Sequence, residues 1–242
     1  MKKEILIIKN STSEGPGLLV EVLKEKNVEC FIVDLERREN PPPVENFGAV
    51  VVLGGPDSAN DANEKMKNEL AFIRNAIDLK IPYLGICLGL QTLVKAAGGK
   101  VIKSQVKETG FIDLDGNNFT IELTEEGKKD PLFENLNSPL NVFHLHGETV
   151  ELPDNIILLA TGKFCRNQAV KVGSNAYGIQ CHFELTPEMF EAWLNNDPDL
   201  RQLNKEQLRK VFYKIKDEYV KTGKQLFQNF LKLPVIKDPS FN

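Results

Sequence analysis

The chain has 242 residues, 41% of them apolar and 26% charged, a composition that allows a sizeable globular core. Its formal net charge is −4 with lysines and acids interspersed, so no basic stripe suits nucleic acid or an anionic membrane, and small molecules or proteins are the expected ligands. The opening MKKEILIIKN holds only a four-residue apolar run, too short for a signal-peptide core or a membrane span, and reads as the buried first strand of a cytoplasmic protein.

In chain order, short β-rich runs alternate with helical patterns, the signature of parallel strands joined by crossover helices. Residues 4–9 and 28–34 read as strands on either side of a helix over 17–26, the prolines at 41–43 as a connecting loop, and 49–53 as a third strand. An amphipathic helix is expected over 63–79, with Met66, Leu70, Ile73 and Ile77 on its apolar face. A strand over 81–86 runs directly into a helix over about 88–97, which Gly98 and Gly99 close. From 108 to 124 the period changes to two around Asp115-Gly116-Asn117-Asn118, the pattern of an antiparallel hairpin. Further strand-like runs cover 141–150, 156–161, 168–172 and 176–182. Beyond Pro187 the pattern turns helical, and Leu208, Val211, Phe212, Ile215, Tyr219, Leu226, Phe227 and Phe230 form one apolar stripe that reads as a packing surface. No repeat or long linker divides the chain, so 1–242 is expected to be one α/β domain, with a core of about 1–187 and a helical C-terminal extension of about 188–232.

The stretch IPYLGICLGLQ sets a cysteine between two glycines where a strand gives way to a helix, which core packing does not require. A nucleophile on such a turn needs small neighbours so that strand and helix can approach, and Gly85 and Gly89 meet that need. The turn puts Cys87 at a helix start, where the positive end of the macrodipole favours a thiolate, and it aims the Leu88 N–H into the same space as half of an oxyanion hole. The competing reading is a small buried hydrophobe. Cys30, Cys165 and Cys181 show no C-x-x-C spacing and need no function, and all four cysteines are expected as free thiols.

A base with its own orienting group stands in YGIQCHFELTPE, where His182 and Glu184 are two residues apart near a strand end and so share one face. The imidazole can take the thiol proton while the carboxylate fixes its tautomer and stabilises its charged form. Only three histidines occur in the chain, which makes the coincidence informative. A strand-end histidine beside a solvated glutamate is the plain alternative.

Taken together, the loop Gly54-Gly55-Pro56, the elbow from Gly85 to Gln91 and the segment from Gly178 to Glu184 resemble the class I glutamine amidotransferases, and above all free-standing homologues of the glutaminase domain of GMP synthase. The resemblance runs in order from Ile5 to about Pro187, and GKQLFQNFL in the tail is similar as well. It implies a flavodoxin-like, open, mostly parallel sheet flanked by helices, and release of ammonia from glutamine through a γ-glutamyl thioester. It also implies Cys87 as nucleophile, His182 as base and acid, Glu184 as orienting acid, Gly55 and Leu88 as oxyanion donors, and Gly54 and Gln91 in the glutamine pocket. His146, Gly147 and Glu148 match a His-Gly-acid segment that lines this pocket. Two positions depart from the family pattern: Phe183 stands where proline is usual, and Cys181 where phenylalanine is usual, which puts a second thiol beside His182 as a potential redox liability.

Other sites fare worse. VVLGGPDSA resembles a pyrophosphate loop of ATP-using synthetases, but Leu53 replaces its first serine and Pro56 precedes Asp57. His144 and His146 form an H-x-H pair without a further His or Cys at ligand spacing, so no metal is expected. With no P-loop and no G-x-G-x-x-G, neither a cofactor nor an acceptor-activating half is expected within the chain, and a synthetase subunit is the candidate partner. Three rival readings stand beside glutamine hydrolysis: a γ-glutamyl peptidase with the same triad, a related cysteine peptidase or chaperone (which would carry histidine in place of Leu88), and a non-catalytic regulatory module.

Overall fold

The structure, a computed structural model, describes residues 4–233; the ends of the expected domain, 1–3 and 234–242, lie outside it. Its main sheet has nine strands. Five are parallel: β1 (Ile5–Lys9) pairs with β2 (Cys30–Asp34) and β3 (Ala49–Val52), β3 with β4 (Tyr83–Ile86), and β4 with the late strand β11 (Ala176–Ile179). The order β2-β1-β3-β4-β11 is the doubly wound flavodoxin order. The sheet continues antiparallel through β10 (Ala169–Val172), β9 (Ile156–Gly162), β6 (Thr120–Leu123) and β7 (Leu140–Asn141).

The inner strands are continuous apolar runs because both of their faces are covered. Ile5 to Ile8 and Val50 to Val52 are buried, and alternate residues feed two core layers: Ile5, Ile7 and Val51 on one side, Leu6, Ile8, Val50 and Val52 on the other. Helices α1 (Leu18–Glu25), α2 (Glu64–Asp78) and α3 (Leu88–Ala96) make the crossovers. Asn63 caps α2 by accepting the Met66 N–H at 2.8 Å.

The antiparallel excursion is present, with different partners from those the local period suggests. Its strands are β5 (Lys100–Gly110) and β8 (His144–Glu151). The turn at 115–118 closes on the bridge between Ile112 and Asn118 and on the Phe119 N–H bonding to Phe111 O at 2.8 Å. Its two arms then part, because Phe111 packs into an aromatic cluster with Phe143, Phe190 and Phe212 while Phe119 packs under the main sheet. Alternation reveals a strand and says nothing of its partner.

The tail forms α5 (Pro187–Asn196), capped by Thr186, and α6 (Lys205–Leu231), capped by Asn204. The expected stripe on α6 is buried apart from the half-buried Val211. A Cβ on Gly223 would lie 2.2 Å from Phe183 O, and the Tyr219 hydroxyl donates to His182 O at 2.8 Å, so α6 is seated against the segment that follows β11. None of the described helices is long and apolar enough to cross a membrane.

Candidate active site

Four loops leave the carboxyl ends of parallel strands and meet at one cavity of about 820 Å³. That is where an open α/β sheet of this order offers a crevice.

The loop after β4 is the elbow. Cys87 has φ 53° and ψ −107°, a left-handed setting that a side chain rarely adopts, and it stands at the N-terminus of α3. Close approach explains both glycines: a Cβ on Gly85 would lie 2.1 Å from Gly89 O, and one on Gly89 would lie 2.2 Å from Val52 O. The Cys87 N–H donates to Ile179 O at 2.8 Å, and its Sγ lies 3.7 Å from Gln180 Nε2 and 3.8 Å from Leu145 O.

The strand expected over 176–182 ends at Ile179, and His182 is held beyond it by a bridge to Phe143. His182 Nδ1 lies 2.6 Å from Glu184 Oε1, while Glu184 Oε2 accepts the Phe183 N–H at 3.0 Å. The ring is buried, with Trp193 and Phe143 edge-on at 5.3 and 6.0 Å, and its Nε2 has no protein hydrogen-bond partner. Burial alone would lower its pKa; the Glu184 carboxylate, with Cys87 beside it, outweighs that and holds His182 well above the ordinary histidine range. Cys181 is fully buried in the core under the sheet, and burial pushes its thiol well up. It is therefore shielded, and the redox exposure suggested by its place next to His182 does not arise. All four cysteines are free thiols.

Of the other expected site residues, Gly55, Leu88, Gln91, His146, Gly147 and Glu148 line the cavity with Cys87 and His182. Gly54 stands behind its wall: a Cβ there would meet Glu14 Oε2 at 2.6 Å, His182 Cε1 at 3.3 Å and Cys87 Cβ at 3.4 Å. Gln91 Nε2 donates to Glu148 O at 3.1 Å and lies 3.4 Å from Gln180 Oε1, so its amide braces the wall.

Several lining groups escape the sequence reading. In β5, Lys103 pairs with Glu148 and Glu108 with His146, so the four residues 104–107 face the single Gly147 and bulge over the cavity. Glu108 also supplies the third member that the H-x-H pair lacks in sequence. Its Oε2 lies 2.9 Å from His146 Nε2 and 3.9 Å from His144 Nε2, and it accepts from Gln168 Nε2 at 3.1 Å. Donor atoms of Glu108, His144 and His146 all lie within 4.8 Å of one another, a nitrogen and oxygen set of the kind zinc accepts; in the fold it ties β5 to β8. His144 Nδ1 is unpartnered, and burial, then His146, holds His144 well below the ordinary range. Across the mouth, Lys107 of the bulge meets Asp199, between α5 and α6, at 2.5 Å. Glu14, from the loop after β1, completes the wall.

The sequence profile described as glutamine amidotransferase class-I matches residues 16–197. Among curated proteins, the glutamine amidotransferase-like protein YfeJ of Salmonella typhimurium is 35% identical over 161 residues, 64% of each chain. A free-standing glutamine-hydrolyzing GMP synthase subunit from Saccharolobus solfataricus is 33% identical over 66% of this chain and 81% of its own. The GMP synthase of Thermosipho melanesiensis is 29% identical over 76% of this chain and only 33% of its own, so this chain spans about a third of that relative. A solved glutamine amidotransferase from Methylobacillus flagellatus superposes with a TM-score of 0.79 at 25% identity, covering 96% of this chain and 95% of its own. One from Thermotoga maritima shares the fold with a TM-score of 0.85 at 24% identity, covering 96% and 99%.

Proposed function

This chain belongs to the class I glutamine amidotransferases, and from that premise we propose that it hydrolyses the side-chain amide of glutamine through a γ-glutamyl thioester on Cys87. One observation carries the reading: a cysteine on a strained elbow and a carboxylate-held imidazole, 2.6 Å from its carboxylate, line the same cavity.

In this reading the Cys87 thiol gives its proton to His182, and Sγ attacks the amide carbon. The carbonyl oxygen becomes an oxyanion that the N–H groups of Gly55 and Leu88 receive. When the C–N bond breaks, His182 returns the proton to the departing nitrogen and ammonia leaves. Water then adds to the thioester, its proton passes to His182, the C–S bond breaks, and glutamate and the free thiol are restored. Glu184 holds the ring in the tautomer that exposes Nε2 and balances its charge throughout. Gln91, braced on Glu148 O, and the His146-Gly147 turn form the glutamyl wall, with Gly54 setting the depth behind it. The ammonia passes to an acceptor on a separate synthetase chain, by analogy with the Saccharolobus relative, which is itself one subunit of a GMP synthase.

A second reading, cleavage of γ-glutamyl peptides or amides by the same residues, draws support from a cavity roomier than glutamine alone needs. A glutamine-like diazoketone with intact-mass readout tests the shared chemistry. One adduct per chain is expected, lost in a folded Cys87→Ser variant; labelling mainly at Cys30, Cys165 or Cys181 would refute it.

A further inference from the structure

The carboxylate of Glu14 takes no part in the chemistry above, yet it stands beside it. Its loop is fixed: the Leu18 N–H donates to Glu184 O at 2.9 Å, and a Cβ on Gly17 would fall 1.9 Å from that same oxygen. Glu14 Oε2, His182 Cε1 and Cys87 Cβ converge on Gly54, which has no side chain to part them. Only desolvation and the fields of His182, Glu184, Asp197 and Glu36 act on the Glu14 carboxylate, and no hydrogen-bond donor among the described residues engages it. A half-buried acid so placed needs a partner from the cavity.

Direction of approach identifies that partner. The glutamyl half of a substrate lies toward Gln91 and Gly147, as the proposed function has it. The departing nitrogen must lie between Cys87 Sγ and His182 Nε2, because His182 protonates it. Whatever that nitrogen carries therefore extends past His182 along the side where Glu14 stands, with Asp197 further along the same wall. We propose that Glu14 reads the amine half of the substrate, so that γ-glutamyl amides whose amine half bears a separate positive charge are taken in preference to neutral ones. The inference rests on the amidohydrolase reading and adds a substrate class to it.

Chemistry is unchanged in such a substrate. Sγ bonds to the amide carbon, the C–N bond breaks, and the departing nitrogen takes its proton from His182 while its distant ammonium stays charged against Glu14. Burial pushes the Glu14 pKa up to about 7, so a cation that arrives there also draws the carboxyl into its ionised form.

Two near-isosteric substrates provide the test: the γ-glutamyl monoamides of 1,3-diaminopropane and of butylamine, which differ by an ammonium in place of a methyl group. The wild type should favour the charged amide at least tenfold in kcat/KM. Glu14→Gln should bring the ratio close to one, and Glu14→Asp should keep part of the preference. Because the readout is a ratio within one variant, a general loss of activity does not imitate it. Equal turnover of the two amides by the wild type, or a preference that survives Glu14→Gln, overturns the role of Glu14 alone while the thioester still forms. If neither amide nor glutamine acylates Cys87 by intact mass, the amidohydrolase reading fails and takes this one with it.

Discussion

Phe183 donates its backbone N–H to Glu184 Oε2, and a proline, usual at this position in the family resemblance, has no N–H to give. The substitution that looks like a loss in the sequence thus supplies a second anchor to the orienting carboxylate, with Phe183 stacked on Tyr219 behind it at 6.4 Å. Hydrogen bonds to charged groups are worth ~1.5–3 kcal/mol. Phe183→Pro should therefore lower kcat by roughly tenfold relative to Phe183→Leu, which keeps the donor; equal rates would remove the anchor from the mechanism. The same carboxylate decides the charge of His182. Since the folded pKa of His182 lies well above 6.5, its charged form contributes stability in full below the unfolded value, and that contribution disappears as pH rises through the folded one. NMR of the ring should show imidazolium throughout pH 5.5 to 7.5. In Glu184→Gln burial is left as the leading influence, and the ring should become neutral within that window with kcat reduced.

At the level of the elements, what the sequence discloses is what is local. Gly85, Cys87 and Gly89 lie within five residues, and His182 and Glu184 are two apart, so backbone geometry alone makes both groupings legible. Glu14 and Glu108 are different: an acid in a polar loop and another in an alternating strand look solvated until the β1 and β3 loops converge and β5 pairs with β8. For the same reason the alternation around the turn at 115–118 marks strands without showing that its arms enter different layers. The strand-to-helix contact can be tested against local propensity. Alanine is better than glycine in a helix interior by about 1 kcal/mol, so Gly89→Ala should stabilise α3 if nothing lay against it. With Val52 O 2.2 Å from the new Cβ, overpacking of ~1–3 kcal/mol should win, and thermal unfolding should come about 3 °C earlier or more. A variant as stable as the parent would show the contact to be loose.

For the molecule as a whole, the parallel half of the sheet builds the site from its loop ends, and the tail helices hold it from behind through Tyr219 and Trp193. If a separate synthetase chain supplies the acceptor, docking should shift the cavity toward its competent state. Glutamine hydrolysis by the isolated chain should then be slow and rise on adding the partner or an extract that contains it. Brisk turnover indifferent to extract would point to water or small amines as acceptors. The elbow has a price for the entire fold. Holding a side chain at φ 53° and ψ −107° costs about 1–3 kcal/mol, and every cooperative contact in the domain bears that load. Glycine sits at such angles without penalty. Cys87→Gly should therefore melt a few degrees above the native protein, with Cys87→Ala close to it. Natural selection for reactivity would then have kept the chain less durable than its own inert mutant.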